Sequence, residues 1–296
     1  MGAREYPALS TRAGTGRVKT YASFVRFSHS VFALPFALTG ALLAAQQHPV
    51  TGGTIAWILV AMVAARSAAM GFNRLVDAGY DALNPRTAMR ELPRGAMSRR
   101  EAAAFVTLAS AVFIWSAFEL NPLCGALSPV ALAIVFWYSL AKRYTTWTQL
   151  FLGLAMAVAP VGGWLAVGGR GGWPPWLLGL AIGTWVGGFD VLYACQDLAF
   201  DRAHGLRSIP VRFGVSTSLW ISRGLHVIAV AALAALALTM RMGPLYLPGV
   251  GLVAALLVYE QSLVRASDLS RVKQAFDLNG YVGILYLLIT AISLYV

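Results

Sequence analysis

Apolar residues in this chain fall in blocks of about 20, the length at which an α-helix spans the hydrocarbon core of a bilayer. That pattern limits the fold before any single residue is considered. Apolar side chains make up 58% of the 296 residues and charged ones only 12%, against roughly 45–50% and about 25% in a soluble domain. A water-soluble fold has no way to cover so much apolar surface. The expected class is all-α, a polytopic bundle in contact with the lipid bilayer.

The sequence predicts nine spans, at 22–46, 54–79, 101–118, 122–141, 147–168, 176–198, 217–240, 244–264 and 276–296. The loops between them are short, so residues 1–296 read as one integral-membrane domain. Residues 1–20 are polar and basic, with Arg4, Arg12, Arg17 and Lys19, and lack the apolar core of a signal peptide. The first span is expected to direct insertion itself. Cys124 and Cys195 both fall inside spans and read as buried thiols rather than as a disulfide or a zinc site.

The net charge of +11 raises the question of nucleic acid, and its distribution excludes it. Arg86, Arg90, Arg94, Arg99 and Arg100 lie between spans two and three, and Lys142 and Arg143 follow span four. Arg202, Arg207 and Arg212 follow span six, and Arg265, Arg271 and Lys273 follow span eight. All of these share a side with the basic N-terminal tail, whereas the opposite loops hold only Arg170 and Arg241. The positive-inside pattern places the N-terminus in the cytoplasm and the C-terminus outside, in the cytoplasmic (inner) membrane. Nothing in the pattern calls for an obligate protein partner.

The acids are few and concentrated. Asn73, Asp77 and Asp81 recur at i, i+4 and i+8 at the cytoplasmic end of span two; Asp190, Tyr193, Asp197 and Asp201 occupy the same end of span six. On a helix the i, i+4 positions form a stripe, with carboxylates about 6 Å apart along the axis. Like charges at this spacing repel, and intramembrane acids mark function. A divalent cation resolves the repulsion, since Mg²⁺ takes one or two carboxylates together with substrate phosphates and water. Asp77, Asp81, Asp197 and Asp201 are the expected metal ligands.

The loops after the two acid pairs resemble each other. Each carries Arg-x-x-Pro, then Gly, then a Ser able to cap the next helix: Arg90, Pro93, Gly95 and Ser98 in one; Arg207, Pro210, Gly214 and Ser216 in the other. Ser98 and Glu101 have the spacing of a capping box. The interval from Asp77 to Asp197 equals that from Asp81 to Asp201, which suggests an internal repeat with a site at its interface. A diphosphate leaves when Mg²⁺ and Arg or Lys neutralise it. Arg86, Arg90, Lys142, Arg143 and Arg207 are placed for that task; Arg74, inside the end of span two, and Arg26, inside the start of span one, join them as substrate-binding candidates.

In Asn73-x-x-x-Asp77-x-x-x-Asp81 and Asp197-x-x-x-Asp201 the chain resembles the UbiA superfamily of intramembrane aromatic prenyltransferases. The segments Asn84-Pro-Arg-Thr-Ala-Met-Arg-Glu-Leu-Pro93 and Tyr138-x-x-x-Lys142-Arg143-x-Thr145 carry the likeness further. Phe27–Phe36 and Phe189–Asp197 are most similar to a bacterial branch that holds 4-hydroxybenzoate polyprenyltransferases and the prenyltransferase of the futalosine route to menaquinone. Ser28 stands before His29 where related sequences carry Glu.

The resemblance implies nine helices around a cavity open to lipid, with Mg²⁺ and a polyprenyl diphosphate held between the two aspartate motifs. Lys142 and Arg143 match the basic pair that contacts the diphosphate. An aromatic acceptor, 4-hydroxybenzoate or a dihydroxynaphthoate, then takes the prenyl group in ubiquinone or menaquinone biosynthesis. Tyr138 and Tyr193 are candidates to face the allylic cation, and Asp190 is a candidate base or acceptor contact. The competing class is an ion- or proton-coupled transporter, which predicts acids at the midplane of broken helices rather than at one end beside basic loops.

Overall fold

The computed structural model describes residues 20, 21, 23, 24, 33–169 and 171–295. Arg26, Ser28, His29 and the tail before residue 20 lie outside the described residues. Within them the secondary structure is helical, and the one β-bridge, Arg265 with Asp268, belongs to a turn rather than a strand. The elements are α1 (Leu34–Ala44), α2 (Gly52–Leu83), α3 (Arg99–Leu120), α4 (Pro122–Tyr144), α5 (Thr148–Ala166), α6 (Pro174–Ala194), a 3₁₀ turn (Cys195–Asp197), α7 (Leu198–Ala203), α8 (Ile209–Leu236), α9 (Tyr246–Ser262) and α10 (Val272–Tyr295).

A helix coincides with each of the nine expected spans, but seven are long and apolar enough to cross a membrane. Of the first span the described part is Leu34–Ala44. The α9 helix has 17 residues, a rise of about 25 Å against a hydrocarbon core of about 30 Å. Among the described residues seven helices thus have the length and apolar content of a span, in a chain whose integral-membrane character is plain.

Local sequence sets most boundaries. The side chain of Thr51 accepts from the Thr54 amide to open α2, and Ser98 with Glu101 forms the expected capping box on α3. Asn121 ends α3 and its side-chain oxygen caps α4 by accepting from the Cys124 amide, while its Nδ2 donates to the Leu165 carbonyl at 2.8 Å. The second expected cap differs. Ser208, not Ser216, starts α8 by accepting from the Val211 amide, with Pro210 in the first turn. Gly214 then breaks the helix one turn later at φ 77° and ψ 169°, a conformation essentially restricted to glycine.

The main core gathers α1, α5, α6, α8, α9 and α10. Trp185 and Phe36 are fully buried edge to face at 5.5 Å, and the Trp185 indole donates to Asn279 Oδ1 at 2.7 Å. Helix crossings in lipid rely on close backbone approach at small residues. Here a Cβ on Gly163 would collide with the Ala37 carbonyl, and one on Gly40 with that of Pro160. These reciprocal contacts fix α1 on α5. Glu260 and Asp277, unassigned from sequence, separate: Glu260 is buried within α9, and Asp277 is exposed and paired with Lys273 at 2.8 Å.

Gly163→Val is expected to force α1 from α5 and destabilise the bundle by about 1–3 kcal/mol, the usual range for overpacking. Thermal unfolding in detergent checks this, with Gly162→Val as the control, since no atom lies within 4 Å of a Cβ at Gly162.

Candidate active site

Because α2 runs unbroken to Leu83, its acids share one stripe at the helix end. Asp77 is 4% exposed and Asp81 6%, so each needs a cation beside it. The last turn of α4 supplies two. Lys142 Nζ lies 3.0 Å from Asp77 Oδ2, and Arg143 Nη2 lies 3.0 Å from Asp77 Oδ1 while also donating to the Val76 carbonyl at 2.7 Å. Asn73 donates to Asp77 Oδ2 at 3.3 Å. Both basic groups also lie over the Tyr80 ring, 5.8 and 5.5 Å from its centroid. Asp81 accepts both oxygens' bonds from Arg90 Nη1, at 2.8 and 2.9 Å.

The second motif departs from the expected continuous stripe. The α6 helix stops at Ala194, and Cys195–Asp197 tightens into a 3₁₀ turn before α7. Tyr193, Asp197 and Asp201 therefore do not lie along one regular helix. Such a turn within a helical run often marks a functional position. Arg86, from the loop after α2, crosses to it. Its Nη2 donates to both oxygens of Asp197 at 2.7 and 3.0 Å, and its Nη1 donates to the Tyr193 hydroxyl at 3.2 Å. Burial lowers the Arg86 pKa, but Asp197 and Tyr193 raise it by more, so the net shift is upward. Asp201 lies within electrostatic reach of Asp197, Lys142 and Arg86 and beside Ser208. Lys142 thus faces both motifs, which joins two regions 120 residues apart in sequence into one site.

The remaining candidates divide. Arg207 donates to the Tyr144 carbonyl at 2.6 Å, and its amide to the Lys142 carbonyl at 2.7 Å; it braces the basic end of α4 rather than touching an aspartate. Arg74 is 4% exposed and paired with Glu91 at 2.8 Å. Deeper in the bundle, Tyr138 lies within electrostatic reach of Arg66, Asp77 and Asp190. Asp190 is half-buried, and it forms no hydrogen bond or ion pair with a described residue. Three participants were missed from sequence. Arg66 had a legible signal, an arginine inside an apolar span and two turns from Asn73 on the same stripe. Tyr80 and Glu91 had none, since an aromatic and a loop acid look ordinary until their partners are known.

Among the described residues no three His, Cys, Asp or Glu side chains converge into a protein-only metal cage. Mg²⁺ seldom uses one; it shares its shell between one or two carboxylates, phosphates and water. Two separate carboxylate pairs at one end of the bundle fit that mode of binding.

The model of the UbiA prenyltransferase family matches residues 33–288. The chain belongs to that family. It is a UbiA-type prenyltransferase, which removes the need for a transport reading of its acids. The chain is 32% identical over 244 residues to the 4-hydroxybenzoate octaprenyltransferase of Vibrio campbellii, covering 82% of this chain and 85% of the relative. The protein of the same name from Citrobacter koseri is 34% identical over 242 residues, covering 80% and 83%. The apo structure of a UbiA homolog from Aeropyrum pernix K1 superposes with a TM-score of 0.82 at 36% identity, over 90% of this chain and 98% of that one. A UbiA homolog from Archaeoglobus fulgidus bound to GPP and Mg²⁺ shares the fold, with a TM-score of 0.71 at 20% identity over 94% and 100% of the two chains.

Arg143→Ala is expected to leave the Val76 carbonyl and one oxygen of buried Asp77 without their donor, at a cost of about 1–3 kcal/mol. A lowered unfolding temperature in this prenyltransferase, larger than that of Arg202→Ala on the exposed α7, is the result to look for.

Proposed function

We propose that this prenyltransferase transfers a polyprenyl group from its diphosphate to a carboxylated aromatic acceptor, with Mg²⁺ and the two aspartate motifs at the diphosphate end. The observation that carries the reading is Lys142, which faces Asp77 directly and Asp201 electrostatically. A cation between two acid pairs suits a ligand that brings both negative phosphates and metal ions. The names of the Vibrio and Citrobacter relatives support 4-hydroxybenzoate as acceptor, with a dihydroxynaphthoate of menaquinone synthesis as the second arm of the test. The Archaeoglobus homolog with GPP and Mg²⁺ supports the metal.

Asp77 and Asp81 of the first motif, and Asp197 and Asp201 of the second, are the residues that would hold Mg²⁺ together with the diphosphate. When bound, the metal neutralises the leaving group. Arg86, Arg90, Lys142 and Arg143 share that role through charge-assisted hydrogen bonds. The allylic C–O bond breaks, its electron pair leaves with the diphosphate, and the faces of Tyr138 and Tyr193 stabilise the carbocation. A ring carbon of the acceptor forms the new C–C bond. Asp190, unbonded to any described residue, takes the ring proton. Arg66, beside Tyr138 and two turns inside the first motif, meets the acceptor carboxylate and so sets its distance from the cation. Arg26 is a further candidate for the substrate. We read the acid end of the bundle as the cytoplasmic face, on the strength of the one-sided Arg and Lys.

Membranes containing the chain, given labelled polyprenyl diphosphate, Mg²⁺ and a panel of aromatic acids, are expected to form a prenylated ring product. Asp77→Ala and Asp197→Ala should each reduce the rate by about 10³-fold or more, ~4 kcal/mol. Folded wild-type protein that yields no product with any carboxylated ring would overturn the acceptor assignment. Arg66→Ala is expected to raise the KM of the acceptor by about 10–100-fold, as for the loss of one hydrogen bond to a charged group, while leaving that of the diphosphate within about twofold.

A further inference from the structure

The loop between α2 and α3 carries three arginines, Arg86, Arg90 and Arg94, and one acid, Glu91. That acid is turned inward. Its side chain is 5% exposed and lies 2.8 Å from Arg74 on α2, itself 4% exposed. Ser23, in the segment before α1, donates to the other carboxylate oxygen at 2.6 Å. The Glu91 carbonyl in turn accepts from the amides of Ala96 and Met97, at 2.9 and 3.3 Å. Leu92 and Met97, both after Glu91, pack into a small cluster with Phe24, Ala102 and Phe105. Glu91 therefore ties three segments together: the first described residues, α2 and the descending half of the loop.

The other half of the loop holds the guanidinium groups that reach the acids. Arg90, adjacent to Glu91, is bidentate on Asp81, and Arg86 is bidentate on Asp197. The intervening backbone is short and internally bonded, Thr87 and Ala88 amides to the Asn84 carbonyl and the Arg90 amide to that of Thr87. A rotation of the loop about α2 would move Arg86 and Arg90 together. We propose that Glu91, through its buried pair with Arg74, is a positioning residue that holds Arg86 and Arg90 over the two acid pairs and so sets affinity for the diphosphate end of the substrate. This rests on the reading of those two arginines as diphosphate contacts.

Two features favour this role over general adhesion. The carboxylate stays ionised: burial pushes its pKa up, but the Ser23 hydroxyl, the loop backbone, Arg74 and Arg94 outweigh it, and the net shift is downward. A charge pair on α2 also fixes the loop's bearing, because Arg74 stands one turn from Asp77 on the same helix. Apolar packing alone would tolerate sliding; a guanidinium–carboxylate contact has a defined geometry.

The test compares Glu91→Gln, which preserves size, with the charge-exchanged pair Arg74→Glu/Glu91→Arg, beside Arg86→Ala and Arg90→Ala. Steady-state kinetics are measured separately for prenyl diphosphate and acceptor, and amide hydrogen exchange is followed along the chain. Expected are a rise of about tenfold in the KM of the diphosphate for Glu91→Gln with that of the acceptor unmoved, faster exchange confined to 84–98, and at least partial recovery of both in the exchanged pair. An unchanged diphosphate KM in Glu91→Gln overturns the inference, as does faster exchange spread across all helices, which would make the pair a general stabiliser. If Arg86→Ala and Arg90→Ala themselves leave the diphosphate KM unmoved, the fault lies with the underlying reading of the loop arginines.

Discussion

Asp77 is the charge around which the rest of the site is arranged. A carboxylate at 4% exposure at the edge of an apolar bundle costs several kcal/mol unless it is met by opposite charge and hydrogen bonds. Lys142, Arg143 and Asn73 meet it. That requirement brings the end of α4 against the end of α2, since Arg143 bonds both the Asp77 side chain and the Val76 carbonyl. Arg207 then holds the α4 terminus from the far side through the Tyr144 carbonyl. The loop before α8 thereby becomes part of the same end. One buried charge thus gathers two helices and the loop before α8, and the second acid pair, just ahead of that loop, arrives with them.

Much of this was legible because membranes make charge conspicuous. In a chain with 12% charged residues, acids at i, i+4 stand out, and each motif is met by a basic side chain, Asp77 by Lys142 and Asp197 by Arg86. Lys142 and Arg143 were legible for the same reason. The failures also have physical causes. Spacing counts residues but not helix continuity, so the 3₁₀ turn at Cys195–Asp197 was read as a regular stripe. Arg74 looked like a substrate contact because the sequence shows a charge's depth but not its partner; Glu91, seventeen residues on, takes it. Ser216 looked like a cap because Gly214 read as the loop's end, whereas Ser208 and Pro210 had already started the helix.

The equal spacing of the two motifs suggests duplicated halves, but the loops have diverged in task. After the first motif, Arg86 and Arg90 extend to one aspartate in each half. After the second, Arg207 reaches backbone carbonyls, and its hydrogen bonds rigidify α4 instead of touching an acid. A symmetric pair of halves would give each motif its own cationic loop. Here the first loop serves both motifs, and the second supports the end of α4 that carries Lys142 and Arg143.

That division has a consequence for how the diphosphate end is built. Arginines from one flexible connection, left alone, would lose conformational entropy each time they engaged a ligand, at about 0.5–1.5 kcal/mol per immobilised long side chain. Arg86 and Arg90 are already held by bidentate contacts, so part of that ordering is complete before substrate arrives. The same contacts keep the four carboxylates from repelling one another across the gap between motifs. On the proposed function, a ligand carrying metal ions would exchange carboxylate–guanidinium attraction for carboxylate–metal and phosphate–guanidinium attraction. The buried charges Arg74 and Glu91 pair with each other rather than with a motif aspartate, so that exchange would leave their contact in place.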